Sequence, residues 1–198
     1  AEQLRHTAAE IVHLDLSEAS INLARQRARS LALEGRIEWI QGSLLDLPRS
    51  DLPYFDYINC TGVLHHLEHP EEGLAALLSR LKDDGGLGLM LYGKYGRTAV
   101  YPLQQLMRLV NHADDDPEVQ LHNLKEVLAA LPGTNWHRRA SMLALPDAQR
   151  PDTELYDTYL HSQDEPYSVP GLYRLLEAAG LKLGAFTRTS RRLYGPAL

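Results

Sequence analysis

The strongest constraint on this chain is a repeated order of a short apolar run, a polar exit, then a segment with helical spacing. Residues 11–14 form the first run, which ends at Asp15. Residues 36–41 form the second, with Ile37 and Trp39 on one face, and exit through Gly42 and Ser43. Residues 54–60 form the third and lead into "CTGVLHHLEHP". After the first run, Ser17 is a good N-cap, and Ile21, Ala24, Ala28 and Leu31 recur at helical spacing. Gly35 is placed to end that helix in a left-handed conformation. After the third run, Pro70 suits a first helical turn, and Leu74, Leu77, Leu78 and Leu81 make one apolar stripe. Asp84-Gly85-Gly86 is a turn signal. Residues 87–92 are continuously apolar, which predicts a strand buried on both faces.

Strands alternating with helices imply βαβ units with right-handed crossovers. The predicted class is α/β, a Rossmann-like doubly wound and mainly parallel sheet. Ligands of such sheets bind beyond the carboxyl ends of the strands, and that rule selects the residues after positions 14, 41 and 59. Residues 1–8 read as a short helix. The alternation breaks over residues 96–167, with helices near 99–112 and 117–131, then Pro132-Gly133 and an irregular stretch rich in Asp, Tyr and His. Long irregular stretches tend to be functional or disordered; 96–167 reads as a helical insertion within a single 1–198 domain, lying over the strand ends and able to supply substrate contacts. Ser168 then caps a helix carrying Leu172, Leu175, Leu176 and Ala179; Gly180 stops it, and residues 181–187 read as another strand.

A length of 198 residues suffices for one sizeable core. A net charge of −6 lacks the basic footprint of a nucleic-acid binder, and Arg188, Arg191 and Arg192 read as a solvated strand end. No apolar run approaches the roughly 18–20 residues that span a bilayer, so no membrane partner is expected. Cys60 is the only cysteine, which rules out an internal disulfide and fits a reducing cytoplasm.

Asp15 can accept hydrogen bonds from two vicinal ribose hydroxyls, or serve as a helix N-terminal acid favoured by the dipole. The backbone and hydroxyl of Ser43 can read the edge of an adenine, with Leu16 and Leu44 offering apolar faces; the plain alternative is an ordinary strand exit. Gly62 lets the backbone approach a ligand closely. His65, His66 and His69 invite a metal reading. The string has no HExxH spacing and none of the carboxylate pattern of zinc hydrolases. The expectation is therefore no metal, one histidine filling space or lying beside a cofactor, and His69 as a helix cap.

The strings "HLDLSEASINLARQRA", "IEWIQGSLLDLP" and "FDYINCTGVLHHLEHPEEGLAALLSRLKDDGGLGLML" resemble three successive regions of class I S-adenosylmethionine methyltransferases. "YGKYGRTAVYPLQQLMRL" and "LHSQDEPYSVPGLYRLLEAAGL" resemble a bacterial subgroup of methyltransferase-domain proteins. The resemblance implies S-adenosylmethionine as cofactor and methyl transfer to a small-molecule or protein acceptor. Carried over by residue, Asp15 holds ribose hydroxyls, Leu16 flanks adenine, and Ser43 and Leu44 meet its edge. Ser43 stands where Asp is commoner in the family. The backbone of Cys60, Thr61 and Gly62, with His65, lies near the methionine part. His65, His161 and Tyr167 are candidates for a base, with packing ahead of the last helix as the structural alternative for Tyr167.

The family's first strand and its GxGxG loop, whose amides hold the methionine carboxylate, are expected before residue 1. Its last antiparallel strand is expected after Arg191. The resemblance thus implies a fragment whose sheet halves are left with unpaired edges. The alternative is a non-catalytic remnant or interaction module that cannot hold cofactor without that loop.

Overall fold

The structure, a computed structural model, describes residues 9–112, 114–141 and 149–186. The helix expected over residues 1–8 and the arginines 188, 191 and 192 lie outside the described residues. The chain divides into two compact units, Ala1–Leu64 with His69–Leu89, and His65–Glu68 with Met90–Leu198.

The first unit holds β1 (Ile11–Asp15), α1 (Glu18–Ser30), β2 (Ile37–Gln41), β3 (Phe55–Thr61), α2 (Pro70–Leu78) and most of β4 (Leu81–Met90). β1 and β2 run parallel, in register from Ile11 opposite Ile37 to Asp15 opposite Gln41. Parallel neighbours need a crossover, and α1 supplies it. Ser17 caps α1 as expected, its Oγ accepting from the Ser20 N–H at 3.2 Å. β3 pairs with β4, so the described strands form two separate two-stranded sheets. The class is mixed α/β with parallel strands. Leu87 to Met90 are half-buried rather than buried on both faces. A strand is enclosed on both faces only inside a wider, doubly covered sheet, whereas β4 has one strand partner among the described residues.

The end of α1 departs from the sequence reading. The helix stops at Ser30, and Ala32, not Gly35, takes the positive φ of 55°. The Leu33 N–H reaches back to the Ala28 carbonyl at 2.9 Å, and Leu33 itself is buried. Burying Leu33 places the reversal at Ala32, three residues before Gly35, at a left-handed cost of about 1–2 kcal/mol. Gly35 lies instead in a short 3-10 turn, Glu34–Arg36. On the other sheet, α2 buries Leu74 and Leu77, and the 3-10 turn Leu44–Arg49 buries Leu47. Arg80 ties these together: its Nε donates to the Leu47 carbonyl at 3.0 Å, and its guanidinium also reaches the Ser50 carbonyl.

The second unit is helical: α3 (Tyr101–Val110), α4 (Pro117–Ala130), α5 (Trp136–Ser141), α6 (Asp152–Tyr159) and α7 (Val169–Ala178). Its core is Leu103 and Met107 from α3, Leu124 and Leu128 from α4, and Leu155 and Tyr159 from α6. α3 and α4 fall where the sequence places helices. The stretch read as irregular contains α5 and α6. Their signals are present in hindsight: the Asn135 Oδ1 accepts from the His137 N–H at 2.8 Å, and Leu155 and Tyr159 are buried at i, i+4 spacing. α7 ends as predicted. Gly180 takes φ +72°, the Leu181 N–H bonds to the Leu176 carbonyl at 2.8 Å and the Gly180 N–H to the Glu177 carbonyl at 3.0 Å. The strand expected over 181–187 is not formed over 181–186. Alternation creates a strand face, but a strand also needs a neighbouring edge to bond, and these residues have none among those described.

Two glycines give opposite tests. A Cβ on Gly85 would sit 2.9 Å from the Lys82 carbonyl oxygen and 2.8 Å from Leu81 Cδ1, so the backbone itself must move. Gly35 has nothing within 4 Å and no positive φ. Gly85→Ala should lower stability by about 1–3 kcal/mol, and Gly35→Ala should be neutral or raise it by about 0.4–1 kcal/mol, both read from urea midpoints.

Candidate functional site

In the first unit the sequence-predicted residues fall at the carboxyl ends of the strands. Asp15 is the last residue of β1, and its carbonyl accepts from the Gly42 N–H at 3.0 Å, just past β2. Its Oδ1 accepts from the Ser17 N–H at 2.8 Å, which fixes the carboxylate over the start of α1 and leaves Oδ2 for another donor. Leu16 is 73% exposed, an apolar side chain with no cover. The Gln41 side chain donates to the Leu16 carbonyl at 3.3 Å and braces that turn.

Ser43 also serves locally: its Oγ accepts from the Leu45 N–H at 3.2 Å and caps the 3-10 turn. Its hydroxyl proton is still available to an outside acceptor. Leu44 is half-buried beside it. At the end of β3, Gly62 takes φ +74°, a conformation that L side chains rarely adopt. Thr61 is exposed, its Oγ1 accepting from the Asn59 side chain at 3.1 Å, while Cys60 is buried, and burial pushes its thiol pKa up. Cys60 therefore offers its backbone, not a reactive sulfur.

These features can be tested against a nucleoside-bearing cofactor. A pinned carboxylate with a spare oxygen suits paired ribose hydroxyls, the bare Leu16 suits an adenine face, and the left-handed Gly62 allows close backbone approach. The donor set fits the nucleoside end of S-adenosylmethionine.

His65 belongs to the second unit, and its surroundings are unlike those of a ligand-facing residue. It is fully buried, and neither ring nitrogen has a hydrogen-bond partner. Its ring lies 3.8 Å from that of Tyr92 and 4.2 Å from that of His66, centroid to centroid. Burial, with a smaller push from His66, pulls its pKa down to about 4, so the ring is neutral at neutral pH.

His66, His161 and Asp157 come together beside it. The His66 Nδ1 lies 2.8 Å from the Gln163 carbonyl, and its Nε2 lies 3.7 Å from Asp157 Oδ1. The rings of His66 and His161 stack at 3.8 Å. The Tyr92 hydroxyl donates to Asp157 Oδ2 at 3.0 Å, and burial, then the Asp157 charge, push the Tyr92 pKa up to about 12. Burial foremost lowers the His161 pKa. The three histidines of the sequence motif therefore do not act as a set. His69 is at the N-cap position of α2, but its side chain makes no capping bond and faces Glu71 at 3.7 Å. Tyr167 ties backbone to backbone: its N–H bonds the Tyr92 carbonyl at 2.8 Å, and its carbonyl accepts from Lys94 at 2.9 Å.

Behind this cluster sits a buried ion pair that the sequence reading did not single out. Arg97 Nη2 lies 2.8 Å from Asp164 Oδ2, with side chains 13% and 0% exposed. The guanidinium stacks 3.6 Å over the Tyr92 ring and also donates to the Thr158 carbonyl at 3.2 Å. Gln104 Nε2 bonds the same Asp164 oxygen at 3.1 Å and the same Thr158 carbonyl at 2.9 Å. Nothing in local spacing flags a pair separated by so much chain.

Comparison with known proteins now has a geometry to attach to. Residues 1–87 match the family described as methyltransferase domain. That match takes in somewhat less than half of the chain and makes its first part similar to methyltransferase domains. An uncharacterized protein of Synechococcus is 34% identical over 195 residues, covering 94% of this chain and 46% of that protein. The mitochondrial ubiquinone biosynthesis O-methyltransferase of Schizosaccharomyces pombe is 34% identical over 91 residues, covering 45% of this chain and 32% of the enzyme. The chain thus spans less than half the length of these curated relatives. PKMT2 from Rickettsia typhi has the same fold at 20% identity, with a TM-score of 0.58 over 85% of this chain and 32% of that one. Its structure in complex with AdoHcy gives 19% identity and a TM-score of 0.56, over 84% of this chain and 33% of that one. The fold likeness therefore extends well beyond the residues matched by the family.

The ion pair gives a direct test. Asp164→Ala leaves the Arg97 charge buried without its partner and removes an acceptor from Gln104, so it should cost about 3–5 kcal/mol of stability. Chemical denaturation of the variant against the parent chain reads this.

Proposed function

We propose that the chain is the methyltransferase domain of a larger protein, that it binds S-adenosylmethionine, and that it transfers a methyl group to a small-molecule or protein acceptor. Asp15 carries this reading: a carboxylate held at the carboxyl end of a parallel strand, with one oxygen committed to Ser17 and the other open. Asp15 would accept from the ribose hydroxyls, Leu16 would cover one face of the adenine, and Ser43 and Leu44 would line its edge. The backbone from Cys60 through Gly62 would approach the methionine part. When bound, the cofactor supplies a methyl group activated on a positively charged sulfur. The work of the protein is then to align an acceptor with that group, which can supply much of the catalysis, with a general base needed only for acceptors of high pKa.

His65, His161 and Tyr167 are the candidates for that role; His161 is partly buried with the Asp157 carboxylate close by, and His65 is enclosed. The Schizosaccharomyces pombe relative is a ubiquinone biosynthesis O-methyltransferase, which supports methyl transfer without fixing an acceptor here. No helix among the described residues is long and apolar enough to cross a membrane. We place the protein in the cytoplasm, where the lone thiol of Cys60 stays reduced.

Titration calorimetry with S-adenosylhomocysteine tests the reading. The chain should give a saturable, one-to-one isotherm. Asp15→Asn keeps an acceptor for Ser17 but loses the charge, and a charge-assisted hydrogen bond is worth about 1.5–3 kcal/mol, so affinity should fall roughly tenfold or more. A chain that binds no S-adenosylhomocysteine supports the alternative, an interaction module without cofactor. Equal binding by the variant removes Asp15 from the site.

A further inference from the structure

We propose that His66, Asp157 and His161 form a binding site for a divalent first-row transition metal, Zn²⁺ by the chemistry of the donors. None of the three belongs to the proposed nucleoside-binding set, and His161 is shared with the base candidates named above. One ligand atom from each residue lies within 4.8 Å of the others, and all three residues are partly buried. Two imidazoles and one carboxylate are a donor set that zinc and its neighbours in the series accept, with a position left open for water or a further oxygen.

The orientation of the groups is what raises this above a chance cluster. The His66 Nδ1 faces the Gln163 carbonyl at 2.8 Å, so that nitrogen carries the proton and donates. The lone pair is then on Nε2, the atom turned toward Asp157 Oδ1 at 3.7 Å. Metal-bound histidines are held in just this way, with the second nitrogen donating to a carbonyl or carboxylate. Asp157 is prepared in the same manner: Tyr92 donates to Oδ2, leaving Oδ1 on the side of His66. Tyr92 is itself fixed by the Arg97 guanidinium stacked 3.6 Å over its ring. Besides stacking on His66, the His161 ring holds one weak hydrogen bond, from the Gln163 N–H to Nδ1 at 3.2 Å, and would give it up on ligation.

Metal–ligand bonds of about 2.0–2.2 Å require ligand atoms roughly 3.3 Å apart, so the group must contract by rather more than an ångström. Asp157 and His161 are both exposed enough to turn by that amount. Their sequence separation explains why the histidine string alone argued against metal. Two of the three ligands lie far along the chain, and the carboxylate that a metal site needs comes from α6. Bound metal would join the 65–68 segment to α6 and the residues that follow it.

The test uses the full chain, stripped with chelator and dialysed. Zn²⁺ is titrated by calorimetry, and Co²⁺ by its visible d–d absorption, which reports low-coordinate nitrogen and oxygen ligation. One saturable site is expected, accompanied by a rise in melting temperature. His161→Gln and Asp157→Asn should each abolish the Co²⁺ spectrum and the thermal shift, while melting in the absence of metal shows that they remain folded. Tyr92→Phe removes only the bond to Asp157 and should weaken Zn²⁺ binding about 10–100-fold. His69→Ala should change nothing. The proposal fails if the chain shows no saturable binding. It fails equally if binding survives both His161→Gln and Asp157→Asn, as metal held by the exposed His69–Glu71 pair would.

Discussion

The second unit is organised around one buried charge pair. Arg97 and Asp164 are held out of water, and such a pair is tolerated only when hydrogen bonds complete it. Gln104 from α3, the Thr158 carbonyl at the end of α6 and the face of Tyr92 supply part of that completion, while Arg97 Nε and Asp164 Oδ1 are buried without a hydrogen-bond partner. The pair therefore fixes where residues 157–164 run relative to α3. The Gln163 carbonyl next to it then sets the ring orientation of His66, and the Glu165 N–H bonds the His65 carbonyl at 2.8 Å. A short segment that follows β3 in sequence is thus positioned by residues nearly a hundred places later. Its chemistry could not be assigned from its own neighbours.

The first unit works by a simpler economy. Each loop beyond a strand is shaped by a side chain bonding to backbone within two or three residues: Asp15 to Ser17, Ser17 to Ser20, Ser43 to Leu45. These bonds satisfy the free amides at the start of a helix or turn. They also aim a carboxylate and a hydroxyl beyond the strand ends before any ligand arrives. A group that is already oriented loses less freedom on binding, which is the physical value of placing such residues at caps.

Much of this was legible in advance. β1, β2 and β3, with α1, α2, α3, α4 and α7, lie close to where apolar spacing and capping residues put them, because period and caps are local properties. The reversal at Ala32 was missed because burial of Leu33 outweighed the preference for glycine at Gly35. α5 and α6 were missed because polar and aromatic residues mask a short helix whose buried side is only Leu155, Thr158 and Tyr159. The strand over 181–187 was over-read, since alternation describes a face and says nothing of a partner. The strand-end positions Asp15, Ser43 and Gly62 could be picked out because strand ends can be counted along the chain. The tyrosine, arginine and aspartates around His66 could not, since none of them is near it in sequence.

The sequence by itself thus determined the α/β class, the strand ends and the residues that cap them, since all of these depend on interactions between near neighbours. Tertiary structure alone decided that His65 is enclosed and neutral, that His69 stands apart, and that His66 meets Asp157 and His161. Those outcomes depend on desolvation and on charge pairing across long stretches of chain. Both are set by what folding brings together, and spacing along the chain carries no record of either.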